Sequence, residues 1–193
     1  MLSKVGWIGT GVMGKPLAQH ILNKGHSMMV YDRMESNAQD LVEAGARFMQ
    51  PSEIAKEADY LFMMLGYPHD VEKMVFDKDL GLLKHMRPGT TLIDHTTSSP
   101  ALAEEIAARA NDHQILSIDA PVSGGDVGAQ AGSLVIMAGG TDQAVESARD
   151  LMDNYAVEIA HMGGAGAGEH TKLANQMNHA LIMTGLCESL IYA

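Results

Sequence analysis

Lys172 stands three and four residues before Asn175 and Gln176, so on a helix one ammonium and two side-chain amides share a face. A lysine drawn out of water in such a place gives up its proton more readily and can act as acid or base; most helical lysines are instead solvated. Upstream, Asp119-Ala120-Pro121-Val122-Ser123-Gly124-Gly125 offers the Ser123 hydroxyl and the consecutive N–H groups of Gly124 and Gly125. That set can hold a carboxylate or form an ordinary Pro-Gly turn. The third stretch is Gly9-Thr10-Gly11-Val12-Met13-Gly14, with Asp32 lying 23 positions beyond Gly9. Glycines at this spacing between a strand and a helix, with an acid at the end of the next strand, form a dinucleotide fingerprint. Gly9 permits the tight turn, Gly11 lets the backbone approach a pyrophosphate, and Gly14 lets the helix pack close to the strand. The helix N-terminus adds free N–H groups and the positive end of its dipole. Asp32 suits two ribose hydroxyls and repels a 2′-phosphate, which favours NAD. Arg33 could stack on adenine or reach a 2′-phosphate, so NADP stays the alternative.

These residues need a frame, and the hydrophobic pattern supplies one. Residues 5–8 read as a buried strand, Met13, Leu17, Ile21 and Leu22 recur at helical spacing, and Gly25 stops the helix before a strand over 27–31. Ser36 is expected to cap a helix ending at Ala44, followed by a short strand over 46–49 and a helix opened by Pro51. The continuous apolar run 60–65 suits a strand covered on both faces. Further strands are expected over 90–94, 115–119, 134–138 and 157–160. Helices are expected over 69–76, from Ser99-Pro100, and from a Thr141 cap to Met152. Strands alternating with helices over short connections predict an α/β fold with a doubly wound, mostly parallel sheet of Rossmann type. Ligands in such sheets lie beyond the carboxyl ends of the strands. Attention therefore falls on the loops 9–14, 65–68, 95–98 and 120–125. Residues 163–168 read as a flexible glycine stretch, and a single helix follows from Glu169 to Ala193.

The totals narrow the partners. A net charge of −11, from 24 acidic and 13 basic residues, opposes binding to nucleic acid or to anionic membranes. No run is long and apolar enough to span a bilayer, and no signal peptide precedes the glycine turn. A single cysteine, Cys187, excludes an internal disulfide and suits a reducing, cytoplasmic setting; it is expected to be a buried, small apolar residue. No histidine pair has metal-ligand spacing within a suitable cluster, so no metal is expected. His95 is assigned to packing.

Together the motifs resemble the β-hydroxyacid dehydrogenase family, the group of 3-hydroxyisobutyrate dehydrogenase and tartronate semialdehyde (2-hydroxy-3-oxopropionate) reductase. The resemblance rests on Trp7-Ile8-Gly9-Thr10-Gly11-Val12-Met13-Gly14-Lys15-Pro16-Leu17 and on Asp94-His95-Thr96-Thr97-Ser98-Ser99-Pro100. It rests equally on Asp119 to Gly125 with Gly128-Ala129 and Gly132-Ser133-Leu134, and on Gly166-Ala167-Gly168 through Lys172-Leu173-Ala174-Asn175-Gln176. It implies that the loop 9–14 (Gly9, Thr10, Gly11, Val12, Met13, Gly14) holds the pyrophosphate, that Asp32 holds the ribose, and that Leu65 and Thr97 line the cofactor site. It also implies that Ser123, Gly124 and Gly125 hold a small carboxylate substrate, that Lys172 is the acid–base group, and that Asn175 orients the substrate. Some members carry asparagine where this chain has Gln176, which leaves the amide role divided between Asn175 and Gln176. The implied reaction moves a hydride between the nicotinamide and a small 3-hydroxy acid or its semialdehyde. A non-catalytic nucleotide-binding module and an NADPH-dependent glyoxylate or succinic semialdehyde reductase are the rival readings.

The resemblance implies that members run on into an all-helical second domain, which is expected to lie beyond the 193 residues of this chain. The expected organisation is an NAD-binding domain over 1–165 and the start of a long interdomain helix over 166–193. On that helix Met177, Leu181, Leu186, Leu190 and Ile191 would lack a partner, so a homo-oligomer associating through it is expected.

Overall fold

An apolar run without polar interruption is stable as a strand only if both its faces are covered, and β1 (Lys4–Ile8) is buried from Val5 to Ile8. The computed structural model describes residues 2–79 and 81–193. Among these, β1 is followed by α1 (Gly14–Leu22), β2 (Ser27–Tyr31), α2 (Gln39–Glu43), β3 (Arg47–Phe48), α3 (Pro51–Glu57), β4 (Tyr60–Met63), α4 (Pro68–Phe76) and α5 (Leu82–His85). Then come β5 (Thr91–Asp94), α6 (Pro100–Asp112), β6 (Leu116–Asp119), β7 (Val122–Ser123), α7 (Gly125–Ala131), β8 (Leu134–Gly139), α8 (Asp142–Met152), β9 (Ala156–Gly163) and α9 (Ala167–Tyr192).

The strands form one sheet in the order β3-β2-β1-β4-β5-β6-β8-β7, with β9 paired to β8. From β3 to β6 the pairing is parallel; β8 runs antiparallel to β6 and β7, and β9 parallel to β8. Alternate residues face opposite sides. Trp7, Val30 and Phe62 enter one core with Leu17 and Ile21 of α1 and Val145 and Leu151 of α8. Ile8, Met29, Leu61 and Met63 enter the other with Ile54 of α3, Val71 of α4, Leu82 of α5 and Ile106 of α6. The result is the expected doubly wound sheet between two helical layers.

Its carboxyl edge is level. Tyr31, Ile8, Met63, Asp94 and Asp119 are register partners across five adjacent strands. Every loop singled out in the sequence leaves from or just beyond this row, and the strand order reverses direction between β1 and β4, where such folds open a crevice.

Several local expectations change. Ser36 caps no helix: Asp32 Oδ1 accepts the Met34 N–H at 2.9 Å and the Asn37 side chain at 3.1 Å. These bonds pull the chain into a 3-10 turn over Glu35–Ala38 before α2 begins. The strand over 46–49 shrinks to two residues. Strand β4 ends at Met63 because the Leu65 N–H leaves the ladder and donates to Thr96 Oγ1 at 2.8 Å. Helices α5 and α7 and strand β7 were not anticipated from the sequence; all are short, below the length at which periodicity identifies an element. Thr141 does cap α8, its hydroxyl accepting the Ala144 N–H at 3.1 Å.

The largest correction concerns residues 163–168, which are pinned rather than flexible. Gly163 closes β9, Gly166 donates its N–H to Asp119 Oδ1 at 2.8 Å, and α9 starts at Ala167, two residues early. Gly168 lies against the carbonyl oxygens of Met137 and Asp119 so closely that a Cβ would overlap both. Glycine is required there by packing, not by mobility. Beyond Asn175 the described residues of α9 are exposed, including Leu181 at 75% and Ile191 at 80%. Cys187 is exposed as well, contrary to its expected burial, because no described element packs against that part of the helix. No helix among the described residues is long and apolar enough to cross a membrane.

Candidate cofactor groove and acid–base site

At the reversal point the loops after β1 and β4 open a groove of about 760 Å³, the size of sites that enclose ligands. Gly9, Gly11, Val12, Met13 and Gly14 form one wall, Asp32, Arg33 and Asn37 the rim, and Leu65 and Gly66 the other wall. Gly9 has φ +96°, and a Cβ there would overlap the Met64 carbonyl; only glycine lets the two loops meet. A Cβ on Gly11 would meet no atom within 4 Å, so its backbone faces open groove. Met13 supplies no side-chain cap to α1, which leaves the helix N-terminus free for an anion. Bare helix end, open glycine and carboxylate rim fit a dinucleotide with its pyrophosphate at α1 and a ribose at Asp32.

The loop is braced from below. Trp7, the only tryptophan, is buried, and its Nε1 donates to the Gly9 carbonyl at 2.9 Å. Its ring stacks on Phe62 at 5.1 Å. Thr10 is fully buried, and its N–H and hydroxyl both bind Asp32 Oδ2, at 2.8 and 3.3 Å. Thr10 therefore holds Asp32 instead of lining the groove. Thr97 is exposed and does not line it either. The neighbouring Thr96 does the positioning: its hydroxyl holds Leu65, and its N–H donates to Asp94 Oδ1 at 2.9 Å. His95 is packed, as assigned. The Ala120 carbonyl, 2.6 Å from Nδ1, can only accept, so Nδ1 carries the proton and Nε2 accepts from the Tyr155 hydroxyl at 2.7 Å. Burial lowers the His95 pKa to about 4 and keeps the ring neutral.

The second cluster sits at the start of α9. Asp119, the last residue of β6, accepts from Gly166 N–H with Oδ1 and from Glu169 N–H with Oδ2, at 2.8 and 3.0 Å, and so caps the helix. Lys172 is only 8% exposed, and desolvation lowers its pKa while nearby Glu169 opposes the shift. Asn175, one turn on, has a buried Oδ1 without a hydrogen-bond partner among the described residues, whereas Gln176 is exposed. A buried orphan acceptor beside a desolvated lysine is what a site for a hydrogen-bonding ligand requires. On the strand side, Ser123 is half-buried in β7, paired in register with Val135, and Gly124 and Gly125 are exposed with φ of +133° and +64°. Ser123 follows Asp119 by one short loop, so the strand whose carboxylate caps α9 also leads into the Ser123 turn. The structure thus gathers the loop 9–14, Asp32, Arg33 and Leu65 into one groove, and it ties Lys172, Asn175 and the Ser123 loop to the end of β6. Sequence reasoning missed the cap by Asp119, the buried Glu169, the brace from Trp7 and the hold of Asn37 on Asp32. Of these, only Asp119 carried a signal, as an acid closing an apolar strand before a motif.

Comparison with known proteins agrees with this geometry. Residues 4–164 match the family described as the NAD binding domain of 6-phosphogluconate dehydrogenase. An uncharacterized oxidoreductase, YkwC, of Bacillus subtilis is 43% identical over the whole chain, which covers 67% of that protein. A probable mitochondrial 3-hydroxyisobutyrate dehydrogenase-like protein of Arabidopsis thaliana is 44% identical over 99% of the chain and 57% of its own length. The structure of Mycobacterium tuberculosis 3-hydroxyisobutyrate dehydrogenase with L-serine superposes with a TM-score of 0.92 at 32% identity, covering all of this chain and 65% of that one. The chain thus spans roughly three-fifths to two-thirds of the length of these relatives. A family match over most of the sequence, relatives at this identity and a superposable fold lead to one conclusion: the chain belongs to the β-hydroxyacid dehydrogenase family and carries its NAD-binding domain.

Proposed function

We propose that the whole protein is an NAD-dependent oxidoreductase acting between a small 3-hydroxy acid and its semialdehyde, of the 3-hydroxyisobutyrate or 2-hydroxy-3-oxopropionate type. The observation that carries the reading is Lys172, nearly buried on the helix that Asp119 caps, with the orphan Oδ1 of Asn175 one turn away. In this reading residues 1–165 form the NAD-binding domain, and 166–193 lead from it as the long helix.

A bound nicotinamide supplies the hydride chemistry. The chain's own residues do the rest. Ser123 and the N–H groups of Gly124 and Gly125 bind the substrate carboxylate. Asn175 accepts a hydrogen bond from the substrate and fixes its orientation; its burial favours it over the exposed Gln176. Lys172 takes the hydroxyl proton when the alcohol is oxidised and returns it when the aldehyde is reduced. A lysine whose hold on its proton is loosened by desolvation does both at lower cost than a solvated one. A nucleotide-binding module without catalysis would have no use for a desolvated lysine.

A second reading keeps the site and changes the cofactor. Arg33 lines the groove beside Asp32, and a guanidinium there could bind a 2′-phosphate. L-Serine, the ligand in the M. tuberculosis structure, is itself a 3-hydroxy acid and belongs in the same assay. The test is a panel of 3-hydroxy acids, L-serine and their amides with the whole protein, followed by nicotinamide absorbance. Free acids should react well and amides poorly. Equal specificity constants for acid and amide would remove the carboxylate site from the reading.

A further inference from the structure

Glu169 sits one turn before Lys172 on α9 and is 1% exposed. Its Oε2 accepts the Ser98 N–H at 2.9 Å, and its own N–H donates to Asp119. Asp94, the register partner of Asp119, is buried beside them, which brings three carboxyl groups together behind the acid–base site. A cavity of about 10 Å³ lies among Asp94, Ser98, Ser117, Asp119 and Glu169, room for a single water. Ser98 lines it, and its buried hydroxyl has no partner among the described residues. A buried hydroxyl left in this way is normally satisfied by solvent or a ligand. The described residues include no group of three or more His, Cys, Asp or Glu arranged to hold a metal ion.

We propose that Glu169 is a positioning residue for Lys172: it shares a proton with Asp94 and Asp119 around a water in this cavity, and its charge sets how tightly Lys172 holds its own proton. The inference rests on the reading of Lys172 as the acid–base group. Three carboxyl groups in one low-dielectric pocket cannot all ionise together. Burial, with repulsion from neighbouring carboxylates, raises Asp94 to about 7 and Glu169 to about 8. The groups facing Glu169 are Asp94 from β5, Asp119 from β6 and Lys172 from its own helix; Glu104 of α6 lies against Gly166 at the edge. When Glu169 ionises, its charge stabilises the Lys172 ammonium. When Glu169 is protonated, the ammonium meets only desolvation and releases its proton easily. The carboxyl cluster thereby couples the state of the acid–base group to pH over the range in which Asp94 and Glu169 titrate, about 7 to 8.

The test uses the whole protein with its lysines reductively methylated with ¹³C, the Lys172 resonance being assigned from Lys172→Arg. Glu169→Gln keeps an acceptor for the Ser98 N–H and removes the charge. It should lower the Lys172 titration midpoint by about one pH unit while circular dichroism stays near wild type. Should that variant not fold, Lys172→Met provides the reciprocal measurement. Loss of the ammonium should hold the Glu169 carboxyl protonated to higher pH, seen as persistence of its infrared C=O stretch. An unmoved lysine midpoint in folded Glu169→Gln, or an unmoved carboxyl band in Lys172→Met, overturns the proposal. Loss of turnover in Lys172→Ala together with an unmoved midpoint would sink the coupling alone; retained turnover in Lys172→Ala would sink the reading of Lys172 and leave the coupling standing.

Discussion

Asp119 Oδ2 accepts the backbone N–H of Glu169 at 3.0 Å, so the last residue of a central strand caps the helix that carries Lys172. The contact joins residues 50 positions apart and replaces the local cap that α9 lacks. Asp119→Ala should cost about 1–2 kcal/mol, as other cap losses do, and should lower turnover as well, because the start of α9 then keeps only packing and the Ser98–Glu169 hydrogen bond. Thermal denaturation with steady-state kinetics checks this. A variant with wild-type Tm and turnover would show that the cap positions nothing.

Cofactor choice follows from the rim of the groove. Asp32 is fixed by Thr10, Met34 and Asn37, a carboxylate already aimed before any ligand arrives. NADH should bind more tightly than NADPH, and Asp32→Ala should narrow the gap. Trp7 lies beneath the glycine loop, so energy transfer from its emission to the reduced nicotinamide reads both affinities directly. Tighter NADPH binding would transfer the deciding role to Arg33.

Stability should respond to pH in two opposed windows. Asp94 rises from 3.8 to about 7 in the fold because burial penalises its charge. Its contribution is complete below pH 4 and is lost as the pH climbs towards 7; Glu169 adds to the same decline. His95 falls from 6.5 to about 4 for the same physical reason. It contributes above 6.5 and loses that contribution as the pH drops towards 4. The windows overlap and the two carboxyl groups outweigh the one histidine, so thermal midpoints should fall from about pH 5 towards pH 8, and Asp94→Asn should make that decline shallower. An Asp94→Asn profile as steep as wild type would place the destabilising charge elsewhere.

The exposed part of α9 carries Met177, Leu181, Leu186, Leu190 and Ile191, each about half exposed or more. A row of this kind favours association. The 193-residue chain should form a symmetric dimer in solution, and light scattering across a dilution series decides the matter. A clean monomer at all concentrations would contradict it.

Much of this was legible in the residues because periodicity and glycine spacing are local signals. The strand of residues 5–8, the turn with Gly9 and Gly14 and the acid at Asp32 together define a βαβ unit without any long-range information. What stayed hidden was long-range. No local pattern tells that Asp119 reaches Gly166 and Glu169, that Thr10 turns inward to Asp32, or that Gly168 is crowded by two carbonyl groups. Residues 163–168 looked slack because glycine serves both mobility and close packing, and only the neighbours decide between them. Cys187 was misjudged for the same reason: burial depends on a partner, and the sequence names residues, not partners.

The acid–base role of Lys172 is the centre of the account, and one measurement addresses it most directly. Turnover of a 3-hydroxy acid and affinity for NADH are compared between the whole wild-type protein and Lys172→Ala. Turnover should fall by about two to four powers of ten, the usual weight of general acid–base catalysis, with NADH affinity nearly unchanged because the cofactor lies in the glycine groove. A variant that keeps near-normal turnover would contradict the account.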